Sequence, residues 1–219
     1  MSERNVSSNP EAGAALLILV AILAVIAALA VGTRHFSGST QRLAQTENAQ
    51  MEVVRFEDAV AAFWEANSRL PCPADVTAND GVALPNDGTA CTAPFQRQVI
   101  PWKTLGLPAS VARDSWGNYF AYHVYAPLVL TGAKTGAASI TTAITVKETA
   151  ASGSNITQAA WFVVNSYGKN GKGAYTGNRV QIAVSTNADE AENTDSDDTY
   201  VKGGTPGGSF DDILTYWLP

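Results

Sequence analysis

The longest pattern in the chain is an unbroken apolar run. Residues Ala12–Thr33 (AGAALLILVAILAVIAALAVGT) carry no charged side chain. At about 1.5 Å per residue such a helix is long enough for a hydrocarbon core of about 30 Å. The run reads as a retained membrane helix or, alternatively, as a cleaved signal peptide ending near Gly32. Beyond a possible break at Gly32–Gly38, the spacing of Ala49, Val53, Phe56, Val60 and Phe63 steps by four and three, which defines one helical face. Glu52, Arg55, Asp58 and Glu65 fall on the opposite face. The pattern stops at Asn67, and Pro71 and Pro73 forbid its continuation. The prediction is one long helix, or two stacked ones, apolar all round in its first half and amphipathic in its second. The second half needs a partner surface for its stripe.

After residue 67 the pattern changes. Short β-branched and aromatic runs bounded by turn formers predict strands at Tyr119–Val124, Ile140–Val146, Ala160–Val164 and Val180–Val184. Gly132–Ser139 and Thr149–Asn155 read as surface connections. The fold class expected is therefore α+β: a long N-terminal helix packed on a small antiparallel sheet with long loops.

Composition narrows the function. Charged residues are 16% of the 219, well below the usual quarter, so part of the chain avoids water. The net charge of −6 argues against nucleic acid as a partner. Arg34 and Arg42 follow the apolar run while only Arg4 precedes it, so the positive-inside count slightly favours a cytoplasmic C-terminal side. The cysteines point the other way. Cys72 and Cys91, the only two, lie in turn-rich sequence, and pairing them would close a loop worth about 3 kcal/mol in an oxidising compartment. The other reading is two free thiols in a cytosolic domain.

Acidic residues crowd one stretch. Asp189, Glu190, Glu192, Asp195, Asp197, Asp198, Asp211 and Asp212 are opposed only by Lys202. Such crowding calls for solvation, screening or a cation, and hard oxygen ligands on loops suit Ca²⁺. The stretch reads as a solvated acidic loop or a calcium loop. An EF-hand is excluded, since counting from Asp195 its glycine position holds Tyr200 and its final position Pro206. No Gly-x-Ser-x-Gly, His-Glu-x-x-His, dinucleotide fingerprint or P-loop occurs, so no enzyme is expected. His123 reads as a strand residue, Trp116 and Trp217 as core aromatics, and Arg69 and Asp114 as turn or capping residues. Asp211 and Asp212, if on a strand, point to opposite faces and would not flank one bond.

Four segments together resemble a known family. Gly13-Ala14-Ala15-Leu16-Leu17 opens the apolar helix like a prepilin-peptidase site. Phe63–Asp75 (FWEANSRLPCPAD) is similar to a pilin helix end. Asp114-Ser115-Trp116-Gly117-Asn118-Tyr119-Phe120-Ala121-Tyr122 resembles a pseudopilin strand approach. Asn165-Ser166-Tyr167-Gly168-Lys169-Asn170-Gly171, followed by Phe210-Asp211-Asp212-Ile213-Leu214-Thr215-Tyr216-Trp217, resembles the close of the same proteins. The chain thus resembles the type IV pilin-like proteins, and more narrowly the pseudopilins of type II secretion. Val124–Gln158 and the acidic insertion fall outside the likeness.

The resemblance implies a leader at 1–13 cut between Gly13 and Ala14, a membrane and fibre-core helix at 14–33, its amphipathic continuation at 34–67, and a periplasmic domain at 68–219. It implies a structural subunit stored in the bacterial inner membrane and then assembled into a fibre. Its partners would be other pilin or pseudopilin subunits, a prepilin peptidase and an inner-membrane assembly platform. It also implies Ca²⁺ held by Asp211 and Asp212, with Asn170 standing where the family often has Asp; Asp195, Asp197 and Asp198 have no counterpart in the family and are further candidate ligands, to replace the missing charge, or solvated acids. The fifth residue counted from Ala14 is Ile18, where pilins usually carry Glu; family members at a fibre tip also lack it, which suggests a minor or tip-like subunit. The leader here is not basic, and Glu11 stands just before the cut. The competing expectation is a membrane-anchored periplasmic or surface binding module with acidic, calcium-dependent loops.

Overall fold

The computed structural model describes residues 10–151, 154–195, 197–203 and 210–218; within the first helix it describes the side chains of 19–26, 41 and 43–67, and at 96 the backbone alone. The expected leader, 1–13, and the processing residues Gly13 and Ala14 lie outside the residues whose side chains are described. The chain divides into two compact units, Met1–Ala44 and Gln45–Pro219. Helix α1, Pro10–Asn67, contributes to each.

In the first unit Leu19, Val20, Ile22, Leu23, Val25 and Ile26 are all more than half exposed. Among the described residues, no helix is long and apolar enough to cross a membrane. The expected span at 14–33 is described at the side-chain level only for 19–26.

In the second unit the last part of α1 is amphipathic, and its stripe is buried: Ala49, Val53, Phe56, Val60 and Trp64. The final step is thus four residues, to Trp64, and not three, to Phe63. Phe63 is half-buried and lies under the Arg69 guanidinium, 5.2 Å from the ring centre. The helix ends where expected. Asn67 donates back to the Phe63 carbonyl, and Ser68 takes a left-handed conformation (φ 54°) while donating to the Trp64 carbonyl.

The stripe packs on a five-stranded sheet with strand order β1-β2-β3-β6-β8. Its strands are β1 (Ala74–Asp75), β2 (Gln98–Val99), β3 (Ala121–Val124), β6 (Phe162–Ser166) and β8 (Ile213–Trp217), all antiparallel to their neighbours. Side chains alternate across β6, the most buried strand. Phe162 and Val164 face the helix, while Val163 joins a second core with Leu214. That second core lies against a three-stranded sheet, β5-β4-β7, formed by β4 (Ile144–Lys147), β5 (Asn155–Ala160) and β7 (Thr199–Val201).

The architecture is α+β as expected, with two differences. There are two sheets, and β4 pairs with β7 in parallel. A long excursion rather than a hairpin brings β7 back, which permits the parallel register. The expected strand at Ala160–Val164 is split at Trp161, where β5 ends and β6 begins in another sheet. Val180–Val184 forms no strand: Val180 and Val184 are exposed, and only Gln181 makes a bridge, to Tyr175. The connection Gly132–Ser139 holds a short helix, α2 (Lys134–Ala137), that buries Ala137.

Cys72 and Cys91 form a disulfide, with Cα atoms 5.4 Å apart. It closes a loop of 19 residues and packs with Ala83 and Val129. Asp114 is a turn residue: its Oδ1 accepts from the Trp116 and Asn118 amides, and its Oδ2 from the Ser166 hydroxyl.

Candidate metal centre

At the C-terminal end of β6 the sheet delivers three chain segments to one place. Asn165 is fully buried there. The chain then turns through Gly168, whose φ of +58° favours glycine. A Cβ on Gly168 would lie 2.1 Å from the Asp211 carbonyl oxygen. Only a residue without a side chain lets the 210–212 segment pass so close. Asn170 seals the contact, its backbone amide donating to Asp211 Oδ2 at 2.9 Å.

The third segment is helix α3, Ala188–Glu192. Asn187 caps it, accepting from the Asp189 and Glu190 amides. Glu190 follows as the third helical residue. Instead of turning back to the cap, its side chain is buried. Its Oε1 accepts from the Asn170 amide nitrogen at 2.7 Å and from the Asp211 backbone amide at 3.2 Å. Its Oε2 accepts from the Ser185 hydroxyl. Asn193, just past α3, donates to Asp212 Oδ2 at 2.8 Å and exchanges hydrogen bonds with Val201 of β7.

Glu190, Asp211 and Asp212 each bring one carboxylate oxygen within 4.8 Å of the others. Asp211 and Asp212 precede β8 and lie outside the strand, so the expectation that they diverge fails: strand alternation does not apply to them. Asp211 Oδ1, Asp212 Oδ1 and Asn165 Oδ1 are buried and have no hydrogen-bond donor among the described residues. Burial pushes the Asp212 carboxyl up to about 8, with Glu190 and Asp211 adding to it against the Asn193 and Asn165 amides. Burial raises the Asp211 carboxyl too, and Glu190 adds to it. The site therefore needs either a proton or a cation to settle its charge. Carboxylate oxygens brought together in this number fit a hard divalent cation.

Of the expected calcium ligands, Asp211 and Asp212 are in this cluster. Asn170 touches it as a hydrogen-bond donor. Asp195, Asp197 and Asp198 are not brought to it. They are exposed on the turn before β7, where Asp195 Oδ1 accepts from the Asp197 amide and Asp197 Oδ1 from the Thr199 amide. The Asp195 and Asp197 carboxylates thus serve the turn, and Asp198 is exposed beside them. Glu190 was one acid among eight in the sequence. The Asn187 cap three residues before it is the local signal that singles it out, and Asn165 and Asn193 gave none.

His123 is buried on β3, stacked on Phe95, with Nδ1 facing Gln98 Oε1 at 3.0 Å. Gln98 gives its own amide to the Ala93 carbonyl, so Oε1 is the acceptor and Nδ1 carries the proton. Burial lowers the imidazole to about 3, which keeps it neutral. Comparison with protein-family models, with curated proteins and with solved structures finds no match.

Proposed function

We propose that this chain is a structural subunit, minor or tip-like, of a type II secretion pseudopilus or type IV pilus. It is stored in the bacterial inner membrane through its N-terminal helix, with the C-terminal domain in the periplasm, and it assembles with other pilin-like subunits. It acts by packing and has no chemistry of its own. Ca²⁺ at Glu190, Asp211 and Asp212 offsets most of the site's negative charge and ties the C-terminal strand to the rest of the domain.

One observation carries the reading. Within a single helix the described apolar side chains of 19–26 are exposed, while the stripe Ala49, Val53, Phe56, Val60 and Trp64 is buried in the domain core. Six aliphatic side chains in water are costly at about 25 cal/mol per Å². Lipid before assembly and neighbouring helices after it would each cover them. The disulfide suits an oxidising compartment. Ile18 leaves no carboxylate in the apolar run that would need a partner.

Intact mass spectrometry with N-terminal sequencing, on native membranes and sheared surface fractions, tests the reading. The expected mature N-terminus is Ala14, methylated, in both fractions. An intact leader confined to the membrane fraction would overturn it in favour of an anchored binding module. A cut near Gly32 would overturn it as well, leaving a secreted domain.

A further inference from the structure

We infer that Glu190, carried in by α3, is the third charged ligand of the cation, and that Asn170 aims Glu190 without being a ligand itself. The inference rests on the calcium reading of this cluster and specifies which residues supply its charge.

The direction of the Asn170 amide decides its role. Its Oδ1 accepts from the Lys172 backbone amide at 2.7 Å. Its Nδ2 donates to Glu190 Oε1 at 2.7 Å. A rotated amide would set an oxygen against the carboxylate and a nitrogen against an N–H, so both contacts require the same orientation. The group Asn170 turns toward the carboxylates is therefore a donor, which cannot bind a cation. Glu190 is held from two further sides, by the Asp211 amide and the Ser185 hydroxyl. Three held contacts on a fully buried carboxylate make it a preorganised ligand.

A cluster of acids alone would be a weak basis for a site. Here the interior also holds unpartnered oxygens. Asp212 is 1% exposed and Asn165 0%, and Oδ1 of each is buried without a donor among the described residues. Asn165 and Asp212 are neighbours, joined by a long contact of 3.5 Å from the Asn165 amide nitrogen to Asp212 Oδ2. Unsatisfied buried oxygens are expensive in an apolar surround. A cation among the three carboxylates removes that cost for Asp211 and Asp212. Such a cation joins segments that lie at 165–170, 190 and 211–212 in the sequence, and the acidic insertion is what delivers the third charge.

The test is calorimetric titration of the full chain, in mild detergent, with CaCl₂. Melting of each protein in EGTA reports the cation-free fold. Glu190→Gln is expected to weaken calcium binding by about tenfold or more, because ligand charge sets affinity in such sites. Asn170→Asp is expected to weaken it by about 10–100-fold, as loss of a ligand-orienting partner does, and to melt lower in EGTA because it sets a carboxylate against Glu190 where the amide donated. Asn170 is exposed, so this variant folds even if Glu190→Gln does not. A ligand role for Asn170 predicts the opposite sign, since it would gain a charge. Asp197→Asn is expected to bind as the parent does. Affinity in Asn170→Asp equal to or tighter than the parent overturns the inference, as does a loss in Asp197→Asn matching that in Glu190→Gln. Either result leaves the calcium reading standing. A parent protein that takes up no calcium overturns both.

Discussion

Replacing Trp64 with alanine should be among the most damaging single changes in α1. Trp64 is 3% exposed, with its ring edge-to-face on Trp161 at 5.0 Å and on Trp217 at 6.4 Å. The Lys134 ammonium sits 5.9 Å from its centre. An indole burying about 200 Å² at about 25 cal/mol per Å² amounts to about 5 kcal/mol. Aromatic-to-alanine changes in cores typically cost about 3–5 kcal/mol. A domain of this kind holds about 5–15 kcal/mol in total, so the variant loses about a fifth or more. The neighbouring Phe63→Ala removes a half-buried ring whose distinctive contact is Arg69. The buried half of the ring, about 80 Å² at about 25 cal/mol per Å², and a cation–π contact of about 0.5–1 kcal/mol together give about 2–3 kcal/mol at most, less than the Trp64 loss. Urea unfolding of the full chain in mild detergent, followed by far-ultraviolet circular dichroism, separates the two by their midpoints at unchanged slope. If Phe63→Ala costs as much as Trp64→Ala, the assignment of the stripe to residue 64 is refuted.

Three further outcomes are expected. Cys72→Ser with Cys91→Ser should lower stability by about 3 kcal/mol; unfolding midpoints matching the parent would contradict that. Gly168→Ala should abolish the rise in melting temperature that calcium gives the parent, since its Cβ meets backbone, not a flexible side chain, 2.1 Å away; a preserved calcium shift would contradict the close approach. The pH dependence has two limbs of opposite sign. His123, near 3 folded and about 6.5 unfolded, gives stability present above about pH 6.5 and lost as pH falls toward 3, so His123→Asn should flatten the acid limb. Asp212, near 8 folded and about 3.9 unfolded, gives calcium-free stability present below about pH 4 and lost as pH rises through 8. Asp212→Asn should flatten that alkaline limb, and urea midpoints measured across pH without calcium check both.

Ala49, Val53, Phe56 and Val60 were legible because helical spacing depends only on the chain itself, and so was the stop at Asn67. The last turn was not, since Phe63 and Trp64 are both large and aromatic and steps of three and four both keep a face. The choice was made by what waited across the interface, Trp161 and Trp217, which no local pattern contains. Strands followed the same rule. β3 could be read from its own residues, whereas β7 is a strand because β4 lies beside it. Val180–Val184 has strand-like composition but nothing to bury against, so composition alone did not make it one.

The acidic segment carries the argument furthest. Sequence shows how many carboxylates crowd there, and that number alone makes a cation plausible. Which ones can hold it depends on water. Asp195, Asp197 and Asp198 stay exposed, and the first two spend an oxygen each on a turn amide. Glu190 and Asp212 have lost their water, because β6, α3 and the glycine turn at 168 close over them. A buried charge must find a partner, whereas an exposed one need not. The acids that matter are therefore those that folding deprives of solvent, and one of the three was brought in by a helix whose direction is set by a single asparagine cap.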